Sequence, residues 1–167
     1  ILLSGRGSNF IAIADAISSG QIPDTEIAVV LSNKSEAPGL LAARERGLNA
    51  IDVPSRGVTR VQHDEAIIAH LREHQVDLVC VAGYMRIITP EFVQAFPNRI
   101  LNVHPSLLPA FPGLDAQHQA FDYGAKVAGS TVNFVDEAVD RGVSVLERVV
   151  PFLDTDRAER LSARSLE

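Results

Sequence analysis

The sequence has no tryptophan, a single methionine and a single cysteine among its 167 residues. One cysteine cannot form an internal disulfide, and Cys80 lies in the apolar run Leu78-Val79-Cys80-Val81, where it reads as a small buried side chain. A reducing, cytoplasmic setting is therefore expected. No apolar stretch reaches the roughly 18 residues that span a bilayer, and no charged leader precedes a hydrophobic region, so no membrane partner is expected. Lysine and arginine form no run. Their total of 15 is outnumbered by 21 acidic residues, giving a formal charge of −6, which argues against a nucleic-acid surface. There is no repeat, low-complexity segment or linker. The chain thus reads as one domain, residues 1–167, that meets a small molecule. It opens at Ile1 on what reads as the last part of a strand, without an initiator methionine, and both ends are expected to be incomplete.

What is present is a hydrophobic content of 46%, enough for a sizeable core, arranged in alternating strand and helix patterns. Ile1–Leu3 ends a strand, Ser4-Gly5-Arg6-Gly7-Ser8-Asn9 makes a glycine turn, and Phe10, Ile13, Ala14 and Ile17 mark one face of a helix that Ser8 or Asn9 can cap. Strands are expected at 27–31, 50–53 and 78–81. A helix from Ala37 to Arg46 should stop at Gly47, and another should run from Arg60 to His74 with Val61, Ile67, Ile68 and Leu71 inward. Thr89-Pro90-Glu91 is a helix start, with Thr89 as N-cap and Pro90 at the first helical position. Further on, 115–123 reads as a helix closed by Gly124. Segments 130–135 and 145–150 read as strands joined by an acidic turn, and Asp154-Thr155-Asp156 as the cap of a last helix. This order predicts an α/β fold, a Rossmann-like, mostly parallel sheet flanked by helices, with an antiparallel addition near the C-terminus. His63, His70 and His74 are expected on or near the solvated side of their helix. No Asp, Glu or Cys completes a metal pattern with them, and no metal is expected.

Two stretches are harder to explain by folding alone. The glycine turn leads into the positive end of a helix, where backbone N–H groups suit an anion. It lacks the Lys-Ser/Thr of a Walker loop and the third glycine of a dinucleotide fingerprint, so a phosphate monoester fits better than ATP or NAD, and a ligand-free tight turn is the alternative. The second stretch runs from Leu101 to Gly113. Asn102 and His104 alternate with apolar residues at the end of a strand, on one side of the sheet at its carboxyl edge, where ligands bind in such folds. Pro105, Pro109 and Pro112 fix their own φ and bias each preceding residue toward extended backbone, which suits a preorganised loop. The plain alternative is a core strand with an inert, hydrogen-bonded histidine.

Taken together, Gly5-Arg6-Gly7-Ser8-Asn9, Ser32-Asn33-Lys34, Ala82 to Ile88, Asn102-Val103-His104-Pro105-Ser106-Leu107-Leu108-Pro109, Phe111-Pro112-Gly113-Leu114 and Val139-Asp140-Arg141-Gly142 resemble the phosphoribosylglycinamide formyltransferases of the formyltransferase superfamily. The resemblance runs the length of the chain. Asn-x-His-Pro-Ser-Leu-Leu-Pro also occurs in methionyl-tRNA formyltransferases, but Phe-Pro-Gly-Leu and the Gly-Ser-Asn loop favour the purine enzymes. A formyltetrahydrofolate hydrolase, or a non-catalytic folate- or nucleotide-binding relative, is the alternative.

The resemblance implies formyl transfer from 10-formyltetrahydrofolate, a cosubstrate, to the amine of phosphoribosylglycinamide in purine synthesis, by a monomer or homodimer. It implies that Asn102, His104 and Asp140 are catalytic, with Asn102 and His104 facing the developing oxyanion and Asp140 favouring the protonated imidazole. It implies that Gly7, Ser8 and Asn9 hold the ribonucleotide phosphate. Met85, Arg86, Ile87, Ile88, Val135 and Asn102 would meet the folate, and Arg60 its outer part. Three positions depart from the family pattern: Asp115 and Asn133 stand where histidines are usual, and Val143 replaces a proline just beyond Asp140. The family's final helices lie beyond Glu167.

Overall fold

Short apolar runs alternate with amphipathic helices through the first hundred residues, and each run becomes a strand. The computed structural model describes residues 1–113, 115–137 and 142–151. By its contacts the chain forms two units, Ile1–Ile100 and Leu101–Glu167.

In the first unit, β1 (Leu2–Leu3), β2 (Val30–Ser32), β3 (Ala50–Asp52) and β4 (Val79–Val81) are parallel in the order β3-β2-β1-β4. Helices α1 (Ser8–Ser18), α2 (Pro38–Glu45), α3 (Arg60–Glu73) and α4 (Pro90–Ala95) connect or follow them. Leu3 and Val30 share one core cluster with Phe10 and Ala14 of α1 and Leu40 and Ala43 of α2. Leu2 and Leu31, alternating with them, are also fully buried and face the other way. Burial on both faces is why these strands read as unbroken apolar runs.

The second unit begins within β5 (Ile100–His104), continues through α5 (Ala116–Tyr123), and closes with the antiparallel β6 (Val127–Phe134) and β7 (Ser144–Pro151). β6 pairs with β5, placing Asn102 opposite Asn133 and His104 opposite Thr131. On its other edge β6 pairs with β7, whose Val145 is passed over in the register as a bulge beside Asn133. No helix among the described residues is long and apolar enough to cross a membrane.

Several expectations are corrected. Strand β2 starts at Val30 rather than Ile27, and Leu78 lies outside β4, 47% exposed. Ser8 and Asn9 do not cap α1: the N-cap is Gly7, and both residues lie within the first helical turn. On α3, Val61 is exposed and His63 is buried, the reverse of expectation. Helix geometry gives the reason. At about 100° per residue His63 lies roughly 40° from the Ile67 direction and Val61 about 120° from it. Thr89 caps α4 as expected, its Oγ accepting from the Phe92 N–H at 3.3 Å with Pro90 in the first turn. The expected last helix at 154–167 lies outside the described residues.

Candidate active site

Local backbone chemistry builds the glycine turn. Gly7 has φ 75°, a left-handed value that side-chain-bearing residues rarely adopt, and its Cα meets the backbone of Gly39 in the first turn of α2. A Cβ on Gly7 would stand 2.7 Å from the Gly39 Cα, and one on Gly39 2.9 Å from that of Gly7. The Gly39 N–H also donates to the Gly5 carbonyl at 3.0 Å. Two helix N-termini are thus drawn together. Neither Gly7 nor Ala37, the two N-caps, supplies a side-chain cap; at the start of α2 Pro38 has no N–H and the next two N–H groups go to the carbonyls of Gly5 and Ala37, so it is the positive end of α1 that is left to whatever binds nearby. Beside them lies an open cleft of about 680 Å³ lined by Ser4, Gly5, Arg6, Lys34, Ser35 and Glu36, among others. Arg6 and Lys34 give it positive charge, and Glu36 opposes them.

Beneath the cleft is a buried polar chain. Ser4 Oγ donates to Asn33 Oδ1 at 2.5 Å and accepts the Met85 N–H at 2.8 Å, and Asn33 Nδ2 donates to Ser55 Oγ at 3.3 Å. Ser4 therefore ties the glycine turn to the segment Met85 to Ile88. Met85 and Ile87 expose their side chains there, Ile88 is half-buried, and Arg86 buries its Nε without a hydrogen-bond partner. Arg60, the first residue of α3, is exposed.

In the second unit, alternation puts Asn102 and His104 on one face of β5, and the antiparallel register adds Asn133 and Thr131 to that face. His104 is buried, and its Nε2–H donates to the Phe111 carbonyl at 3.0 Å. A carbonyl can only accept, so Nε2 carries a proton and the exchangeable site of the ring is Nδ1. The proline loop is built around this contact. Ser106 Oγ–H is shared between the carbonyls of Ala110, at 2.5 Å, and Phe111, at 3.2 Å. Thr131 Oγ donates to the Ser106 carbonyl at 2.7 Å and accepts the Leu108 N–H at 3.0 Å.

Phe111 itself has φ 52°. The extended backbone expected before Pro112 is not found, because two side-chain donors converge on the Phe111 carbonyl and its ring packs edge-on against Tyr123 at 5.6 Å. Asn133 is 1% exposed: its Nδ2 donates to the Phe134 carbonyl at 3.1 Å, and its Oδ1 is buried without a partner. Val135 follows β6 and is half-buried. Asp140 lies outside the described residues, with Val139, Arg141 and Leu114.

A formyl transferase family profile matches residues 1–167, the whole chain. The chain belongs to the formyl transferase family. A phosphoribosylglycinamide formyltransferase of Haemophilus influenzae is 42% identical to this formyl transferase over 168 residues, covering 100% of this chain and 79% of the relative. A trifunctional purine biosynthetic protein adenosine-3 of Drosophila pseudoobscura pseudoobscura is also 42% identical, and there the match covers 98% of this chain but 12% of the relative. Among solved structures, glycinamide ribonucleotide transformylase 1 of Symbiobacterium toebii superposes with a TM-score of 0.95 at 48% identity, covering 99% of this chain and 78% of that one. The expected fold class, a mostly parallel α/β sheet with an antiparallel addition, is the fold of this formyl transferase.

The structure brings Gly7, Ser8 and Asn9 together at one helix start, and Asn102 and His104 onto one strand face. Residues missed from the sequence are those whose role depends on partners far away in the chain. Thr131 is one and Gly39 is another, while Asn33 is singled out only as part of its motif, Ser32-Asn33-Lys34. Burial pushes the Cys80 thiol up, which keeps it a thiol and fits a packing role. Departing from the usual histidine, Asp115 takes a left-handed backbone as N-cap of α5 and pairs with His118 Nδ1 at 2.6 Å.

Thr131→Val keeps the shape of the side chain while leaving the Ser106 carbonyl and the Leu108 N–H without their partner. The expected loss is about 1–3 kcal/mol, read as a lower urea midpoint with an unchanged m value. An unchanged midpoint would mean that Thr131 does not hold the loop.

Proposed function

We propose that this formyl transferase moves the formyl group from 10-formyltetrahydrofolate to the amine of 5′-phosphoribosylglycinamide. The observation that carries this reading is the shared face of Asn102 and His104, with the imidazole fixed by the Phe111 carbonyl, in a chain similar over its whole length to phosphoribosylglycinamide formyltransferases. The phosphate of the ribonucleotide lies at the start of α1, against Gly7, Ser8 and Asn9, where a helix end without a side-chain cap and the charges of Arg6 and Lys34 attract an anion.

The amine nitrogen attacks the formyl carbon, and the carbonyl electron pair moves onto oxygen. Asn102 donates an amide N–H to that oxyanion, and His104, as imidazolium, adds a charged donor. Collapse breaks the bond between the formyl carbon and N10. The amine gives up one proton and N10 gains one, with His104 supplying the latter through Nδ1 and Asp140 favouring the charged ring. Met85, Arg86, Ile87, Ile88 and Val135 meet the folate, and Arg60 its outer part.

Purified protein given both substrates is expected to make formylated ribonucleotide and tetrahydrofolate in equal amounts. Absence of formylated product would overturn the reading. Folate deformylation at a rate indifferent to the ribonucleotide would replace it with a hydrolase.

A further inference from the structure

Helix α3 carries a buried polar group that the transfer chemistry does not use. His63 is 1% exposed and Asp64 2%. The His63 Nε2–H donates to the Val53 carbonyl at 2.8 Å, and its Nδ1 lies 3.7 Å from Asp64 Oδ1. The same Nδ1 meets the Tyr84 hydroxyl at 3.3 Å, and the two rings lie nearly parallel, 18° apart, with centroids at 6.5 Å. Asp64 Oδ2 accepts the Thr89 N–H at 2.7 Å. Burial, followed by the charge of Asp64, pushes the Tyr84 phenol up, so its hydroxyl remains a donor.

These contacts hold both ends of one short segment. Tyr84, at its start, is tied to His63, and Thr89, at its end, is tied to Asp64. Met85 is tied to Ser4 through its N–H. Between them Met85 and Ile87 present apolar side chains to solvent, 59% and 47% exposed. Arg60 lies three and four positions before His63 and Asp64 on α3, so all three share one side of the helix. An exposed apolar pair on a segment fixed at both ends is a preorganised surface for a flat, partly apolar ligand, and its fixation is what lowers the entropy lost on binding.

We infer that His63, Asp64 and Tyr84 are positioning residues that lock the segment Met85 to Ile88 to the start of α3, so that Arg60 and the segment form one rigid platform for the folate-type formyl donor. The inference rests on the reading that this segment and Arg60 meet the donor. All three residues are buried. Each acts through the backbone it holds.

Tyr84→Phe removes one hydroxyl and keeps the ring, so the fold is preserved. Its KM for 10-formyltetrahydrofolate, and its calorimetric Kd for the same compound, are expected to rise about three- to tenfold, the worth of one hydrogen bond. The kcat at saturating donor and the KM for phosphoribosylglycinamide should change less than twofold. Asp64→Ala should act in the same direction, and Asp64→Asn, whose amide oxygen can still accept from Thr89, should restore donor affinity. An unchanged donor Kd in both Tyr84→Phe and Asp64→Ala, in a protein whose wild type binds folate, would overturn the platform. Equal losses in kcat and in both KM values would overturn it too, since they would mark a merely structural role. Wild-type protein that binds no folate would instead remove the donor reading on which the platform stands.

Discussion

His104→Ala is expected to lower kcat about a thousandfold, within the range of 10²–10⁴ for a positioned acid or base, while the KM for either substrate changes only a few-fold. The size follows from how the ring is held. His104 is buried on the same strand face as Asn102, and its Nε2–H is committed to the Phe111 carbonyl, so the ring arrives oriented. Among the described residues, the neighbours on that face are poor substitutes for proton transfer: Thr131 is engaged at Ser106 and Leu108, and Asn133 is an amide. Stopped assays at saturating substrate, together with a urea melt of the variant, separate chemistry from folding. Wild-type turnover in His104→Ala would remove the residue from the mechanism.

Gly7→Ala has the second large expected effect, and it acts on both stability and binding. A side chain at φ 75° carries roughly 1–2 kcal/mol of backbone strain. The new methyl would also press on the Gly39 Cα at 2.7 Å, an atom of helical backbone that cannot rotate aside, which adds about 1–3 kcal/mol of overpacking. The combined loss of about 2–5 kcal/mol should appear as a large fall in the urea midpoint. Because relief requires α1 and α2 to separate, the KM for phosphoribosylglycinamide should rise tenfold or more while the KM for the formyl donor rises less. A variant with the parent's midpoint and KM would show the close approach of the two helices to be dispensable.

Much of the fold could be read from the residue order. Apolar runs at 27–31 and 78–81 announce strands, although those that form are the shorter Val30–Ser32 and Val79–Val81, and Thr89-Pro90 states where a helix starts. The face shared by Asn102 and His104 followed from strand alternation alone. His63 is buried because four residues before Ile67 is an inward position, and position outweighs the polarity of the residue type. Its partners, Val53 and Tyr84, stand 10 and 21 residues away, and no local pattern announces them. Thr131 was invisible for the same reason, since its two loop partners lie 23 and 25 residues back. Phe111 defied a local rule: two donors meeting on one carbonyl outweigh the preference of a residue before proline.

The left-handed backbone of Phe111 has an evolutionary consequence. A non-glycine residue there costs about 1–2 kcal/mol that glycine would not, but glycine gives up the ring contact with Tyr123 and loses more chain entropy on folding, each about 1 kcal/mol, so heat resistance alone scarcely distinguishes the two residues at position 111. A lineage with glycine there would keep its fold and lose the aromatic contact with Tyr123, and with it part of what aims the carbonyl that orients His104. A library screened only for survival on heating is thus expected to admit glycine at position 111 without resistance, and to become slower wherever it does, because only turnover reads the aim of the imidazole.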